Sequence, residues 1–250
     1  MNRSSVCLLS VAVALLVAAP AFAEVFKFTG AAEGADGQTL YEEQHTVEGA
    51  CTDGVFRPLE HWVSYVRQTA GGEETFAEKA LSYQSSDIRP TVSYQQSDFN
   101  ESLEISYKRA EAAEILWQRP TGDKERSSVD VSDNLVVDAG FDNFVRRNWG
   151  KVVSGQSVKF RFLAPTRGTD YAFVLEPAQS QVVNADHVVQ IRPDSVLLKF
   201  LVDPIILGYN NKGALTAYSG LTNVRENSDQ NYIATIRYTV NTYPECALTP

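Results

Sequence analysis

The chain is poor in the residues that most catalytic and metal sites are built from. In 250 residues it has three histidines, three cysteines and one methionine. No Cys-x-x-Cys occurs, which excludes thioredoxin-like redox chemistry of that form. There is no His-Glu-x-x-His and no pair of histidines at metal-ligand spacing, so no metal site is expected. A Gly-x-Ser-x-Gly elbow is missing, as are a P-loop and a Gly-x-Gly-x-x-Gly turn. Those absences argue against an α/β-hydrolase and against a nucleotide cradle, and no cofactor is expected. No Pro- or Ser-rich linker, charge block or internal repeat divides the chain.

Positive charge is also scarce. Lys and Arg number 22 against 31 Asp and Glu, a net charge of −9. Nucleic acid demands clustered cations, so it is not an expected partner.

What is present begins with Met1-Asn2-Arg3, an apolar run from Val6 to Val17, and Ala21-Phe22-Ala23 before Glu24. That is the form of a secretory signal peptide with cleavage after Ala23. The run falls short of the roughly 20 apolar residues of a membrane span. Residues 1–23 are therefore expected to leave, taking Cys7 and Arg3 with them. The product is expected to be periplasmic or secreted, soluble, and not membrane-spanning. Cys51 and Cys246 then remain, and in an oxidising compartment a disulfide between them is the expectation, with two free thiols as the alternative.

From Val25 onward strand patterns dominate. Leu103, Ile105 and Tyr107 alternate with Glu104, Ser106 and Lys108, and Val158, Phe160 and Phe162 alternate with Lys159 and Arg161. Ala70-Gly71-Gly72-Glu73, Pro120-Thr121-Gly122-Asp123 and Asn210-Asn211-Lys212-Gly213 read as turns between strands. The segment Asp194–Val202 fits a buried strand or two helical turns equally well. One stretch has the other period. Phe141, Phe144, Val145, Trp149, Val152 and Val153 recur at 3.6 residues, which predicts an amphipathic helix over about 139–154, with Asp138 as N-cap and Gly155 as stop. The predicted fold is mainly β: a curved antiparallel sheet or open barrel packed on one central amphipathic helix. Residues 24–250 are expected to form a single β-rich domain, with a possible subdivision near 133.

Two aromatic clusters are the candidate sites. If the helix is a lid, Phe144 and Trp149 line a cavity and Arg146 or Arg147 meets an anionic head group at its rim; otherwise the helix is core with a solvated face. Leu198, Phe200, Leu201, Ile205, Ile206, Leu207, Tyr209 and Tyr218 form the second cluster, with Tyr209 and Tyr218 as candidate ligand contacts or ordinary β core. His45, His61 and His187 are read as structural or surface residues. His45 and Glu48 fall on opposite faces of a strand and cannot act jointly.

The sequences GFDNFVRRNW and LVDPIILGYNNKGALTAYSGLTNV, behind a signal peptide and among antiparallel strands, resemble an uncharacterised group of exported bacterial proteins with domains of unknown function. In layout the chain resembles the curved-sheet lipoprotein carriers of the periplasm, of the LolA and RseB type. That resemblance implies an apolar concave surface for acyl chains with helices as a lid. Three functions are weighed: a non-enzymatic β protein binding an apolar or amphiphilic ligand (a lipid) or an envelope protein; a structural or assembly module of the envelope; and a carboxylate-based hydrolase, which requires two facing carboxylates in a cleft.

Overall fold

The computed structural model describes residues 23–109, 111–195 and 203–250. Residues 1–22 of the proposed signal peptide lie outside these residues, as do Leu198, Phe200 and Leu201 and most of the ambiguous 194–202 segment. The first half of the chain forms β1 (Glu24–Glu33), β2 (Thr39–Thr52), β3 (Val55–Thr69), β4 (Gly72–Ser82), β5 (Thr91–Gln96), β6 (Glu101–Arg109), β7 (Ala112–Gln118) and β8 (Lys124–Asp130). After the short β9 (Leu135–Val136) come helices α1 (Gly140–Arg147) and α2 (Trp149–Val153). The chain then returns to strand in β10 (Val158–Ala164), β11 (Thr169–Pro177), β12 (His187–Pro193), β13 (Ile205–Tyr209), β14 (Leu215–Arg225) and β15 (Asn231–Thr242).

Strict alternation makes these strands. Val92, Tyr94 and Gln96 of β5 are buried while Thr91, Ser93 and Gln95 are exposed, and β7 buries Ala113, Ile115 and Trp117 in the same way. Side chains of period two can cover only one face, so each strand needs a neighbour on that face. Tight turns join them; Asp53 and Gly54 both take positive φ between β2 and β3, the geometry of a two-residue hairpin.

Among the described residues the fifteen strands form one sheet, ordered β8-β7-β6-β5-β4-β3-β2-β1-β15-β14-β13-β12-β11-β10-β9. Two meanders are joined where the first strand pairs with the last, Gly30 opposite Tyr238. All neighbours are antiparallel except β9 and β10. Laid flat, fifteen strands would put the two edges roughly 67 Å apart at the usual interstrand spacing. Yet only residues 131–134 separate β8 from β9. A link of that length reaches about 17 Å at most. The sheet must therefore curl until its ends meet, but it does not close, because β8 and β9 stand at opposite ends of the hydrogen-bonded order. Instead the ends overlap through side chains: Val129 of β8 and Leu163 of β10 share a buried cluster with Tyr65, Ile105 and Ile115.

The structure corrects the expected single helix over 139–154. It is two helices broken at Asn148, whose backbone sits at φ −100° and ψ 15°. The Asn148 amide side chain donates to the Phe144 carbonyl, a local bond that competes with the helix ladder. Asp138 is not the N-cap either. Ala139 holds that position with no side-chain cap, and Asp138 lies just before it at φ 46°. Gly140 follows because a Cβ there would meet the Ile88 carbonyl oxygen at 2.3 Å. At the other end Gly155 takes φ 92° and its N–H bonds the Val152 carbonyl.

Cys51 on β2 and Cys246 in the C-terminal segment form a disulfide across 195 positions. The segment it holds also bridges β3: Phe56 N–H donates to the Ala247 carbonyl, and Leu248 is buried with Phe26, Phe28, Val47 and Phe56.

Candidate functional site

The same alternation that buries Tyr41 and Val47 of β2 buries Glu43 and turns His45 inward. On β3, His61 lies on the face of Val63 and Tyr65. The register sets His45 opposite Val63 and His61 opposite Val47, so the two imidazoles are diagonal neighbours on one face. His45 Nδ1 lies 3.0 Å from His61 Nε2, and His45 Nε2 lies 2.9 Å from Glu43 Oε2. Tyr238 of β15 donates its hydroxyl to the same carboxylate oxygen at 2.8 Å. Phe28 of β1 stacks on His45 with ring centroids 4.2 Å apart. Gly30 makes room for this arrangement, since a Cβ there would meet the Tyr238 ring at 2.5 Å.

A carboxylate accepts, so in its neutral form His45 carries its hydrogen on Nε2 and leaves Nδ1 as an acceptor. His61 then donates from Nε2. His61 is 6% exposed. Burial holds its imidazole well below the usual histidine range, with His45, Lys79 and Arg146 adding repulsion.

Two further charged pairs share this interior. Lys79 of β4 reaches both Asp138 carboxylate oxygens, at 2.9 and 3.0 Å. Arg146 of α1 lies 2.7 Å from Asp142 Oδ2 and donates from Nε to the Gly213 carbonyl at 2.9 Å. Tyr209 donates to Asp142 Oδ1 at 3.0 Å. Burial raises the Asp142 carboxyl, and Arg146 opposes that rise. A fourth polar group ties the two meanders together. Glu101 accepts Trp117 Nε1 at 2.7 Å and both Nε and Nη2 of Arg225, while Gln96 accepts the Arg225 N–H. Buried charges of this kind persist only when paired and hydrogen-bonded.

The six residues singled out from the sequence fall as follows. Phe144 is buried with its ring 4.7 Å from Phe160. Trp149 stands edge-on to His187 and Tyr209, at 5.0 and 5.7 Å. Arg146, Tyr209 and Trp149 are thus brought together, with Arg146 buried and not at a rim. Arg147 faces the other way and pairs with Asp87 at 3.2 Å. Tyr218 donates to the Leu221 carbonyl and lies beside Phe141. Among the described residues no group of three or more His, Cys, Asp or Glu side chains could hold a metal ion. Two clefts, of about 500 and 290 Å³, are lined by Glu104, Ser106, Lys108 and Arg126 and by Glu60, Ser82, Thr91 and Ser93.

Sequence reading missed Glu43, His61 and Lys79 as one group. The signal was present in the strand period: a carboxylate two residues from a histidine, both in phase with Tyr41 and Val47. Glu48, the partner first considered for His45, is out of phase, and Glu43 is in phase.

No family model matches the chain, and no curated protein matches it. Among solved structures it is similar to a "Beta-barrel-like Protein of Domain of Unknown Function DUF1849 from Brucella abortus", with 8% identity, a TM-score of 0.39, and coverage of 87% of this chain and 94% of that one. At that score the likeness adds nothing to the reading of the site.

Proposed function

We propose that this is an exported, non-enzymatic β protein that serves as a structural or assembly module of the cell envelope, meeting an envelope protein through its outer surface. One observation carries this reading. The side chains that would have lined a ligand cavity are engaged with one another: Arg146 with Asp142 and Gly213, Tyr209 with Asp142, Trp149 with Tyr209, and Phe144 with Phe160. A lid over an acyl-chain cavity would leave these groups facing open space. Aromatic and aliphatic residues are buried inside the sheet, beside the Glu101–Arg225 pair. A hydrolase would need two carboxylates facing each other across a cleft. Asp138, Asp142 and Glu101 are each turned to a cation instead. Export rests on the N-terminal segment and its cleavage after Ala23.

The test is native mass spectrometry of the processed protein purified without detergent exchange, together with crosslinking in intact cells. The expected result is a ligand-free mass and one dominant crosslinked envelope protein. A stoichiometric co-purified lipid would overturn the proposal in favour of a carrier.

A further inference from the structure

The paired imidazoles are more polar than a core requires. His45 and His61 sit beside Phe28 and Tyr238, where apolar side chains would pack at lower desolvation cost. Counting protons on the two facing nitrogens shows what the polar choice adds. With both rings neutral, one hydrogen lies between His45 Nδ1 and His61 Nε2, and the contact holds. With one proton added, either the free His61 Nδ1 takes it, or His45 Nδ1 takes it as the His61 hydrogen moves to its own Nδ1, and a single hydrogen still lies along that line. With two added, each facing nitrogen carries its own hydrogen at a heavy-atom separation of 3.0 Å, where only one fits. The rings then also carry like charge.

We propose that His45 and His61 form a proton-sensitive latch between β2 and β3, holding the inner face closed when at most one added proton is shared and parting when both rings are charged. The protons come from solvent and return to it, so the device is reversible.

The surroundings bias the latch toward the closed, deprotonated state. From β2, Glu43 accepts from His45 Nε2 and holds that ring against His61. Tyr238 of β15 holds the Glu43 carboxylate in place. Lys79 of β4, paired with Asp138, and Arg146 of α1, paired with Asp142, both repel a charge on His61. Phe28 of β1 covers His45 and offers no acceptor. His61 is therefore the ring that resists charging, and its charging opens the contact.

The sign follows from the two states. In the unfolded chain His61 titrates near 6.5, whereas in the folded chain it stays neutral to lower pH. Between those values the unfolded state binds more protons, so folding stability falls as pH falls below about 6.5. The unfolding equilibrium constant should rise by up to roughly tenfold per pH unit for this one group.

The experiment is chemical denaturation of the processed chain from pH 7.5 to 5.0, beside His61→Gln and His187→Gln. Glutamine at 61 keeps an N–H donor for His45 but cannot take a proton. The expected result is a steep acid slope in the wild-type chain and in His187→Gln, and a flattened slope in His61→Gln. Parallel slopes in all three would overturn the latch. If His61→Gln does not fold, long-range ¹H–¹⁵N spectra of the wild-type rings decide. Proton uptake in two separated steps supports the proposal; uptake by His45 and His61 as independent imidazoles, or by neither above pH 5, overturns it.

Discussion

Lys79 and Asp138 stand 59 positions apart, and the ammonium of one sits 2.9 Å from the carboxylate of the other beneath the curled sheet. Asp138 holds this position at φ 46°, a conformation that Asp and Asn tolerate better than most residues. The same carboxylate accepts the Ala139 N–H at 2.7 Å. One side chain thus anchors β4, the start of α1 and a left-handed backbone position.

Breaking that pair should be costly, because it strands a buried charge. Lys79→Met is expected to destabilise by about 3–5 kcal/mol. The double variant Lys79→Met/Asp138→Asn should lose less than the sum of its two single variants, since no unpaired charge remains. Denaturant titration of all four chains measures this; strict additivity would mean that the two groups do not interact.

The Cys51–Cys246 bridge should matter through the unfolded chain. It closes 195 positions, and replacing both cysteines by serine is expected to cost roughly 3–5 kcal/mol in the chain-entropy model. The C-terminal segment carrying Leu248 should become the first part to exchange amide hydrogens. A midpoint unchanged by reduction would show that the tail is held by packing alone.

Phe144 and Trp149 separate core from periphery. Phe144 is 5% exposed, so Phe144→Ala should cost about 3–5 kcal/mol. Trp149 is only half-buried, at the edge of Tyr209 and His187, and its truncation should cost clearly less. Unfolding midpoints in urea rank the two; the reverse order would place the apolar centre nearer α2 than α1.

Alkaline pH should unfold the chain cooperatively. Burial raises Tyr41, Tyr65, Tyr83, Tyr209 and Tyr238 well above the usual phenol range, and pushes Tyr107 up to about 12. Above roughly pH 10 the unfolded chain releases phenolic protons that the folded chain retains, so stability present below that pH is lost as pH rises. Phenolate absorbance should therefore appear together with loss of β circular dichroism. Tyrosines ionising near pH 10 in a chain that stays folded would contradict this.

Much of the β architecture was legible because it is local. Alternation at Leu103–Tyr107 and Val158–Phe162 needs only the two-residue period of a strand, and Asn210–Gly213 is a turn by its own chemistry. The 3.6-residue stripe from Phe141 to Val153 was equally readable, but its break was not. Asn148 reads as one more polar residue on a helix surface until its side chain is seen bonded to the Phe144 carbonyl.

The candidate site was hardest to read for a different reason. His45 and His61 meet because β2 and β3 pair in one register with a bulge between Glu48 and Gly49, and a slip of a single residue would point one ring to solvent. Arg146, expected at a rim, is instead drawn inside by Asp142 and the Gly213 carbonyl, 67 positions away.

By itself, then, the order of amino acids determined which backbone would be extended and where it would turn, since each of these depends on neighbours within a few residues. Only the tertiary structure decided which charges share one interior and that the curled sheet overlaps its own ends without closing. Register, curl and burial are long-range quantities, and they set the dielectric and the partners that give a histidine or a carboxylate its chemistry.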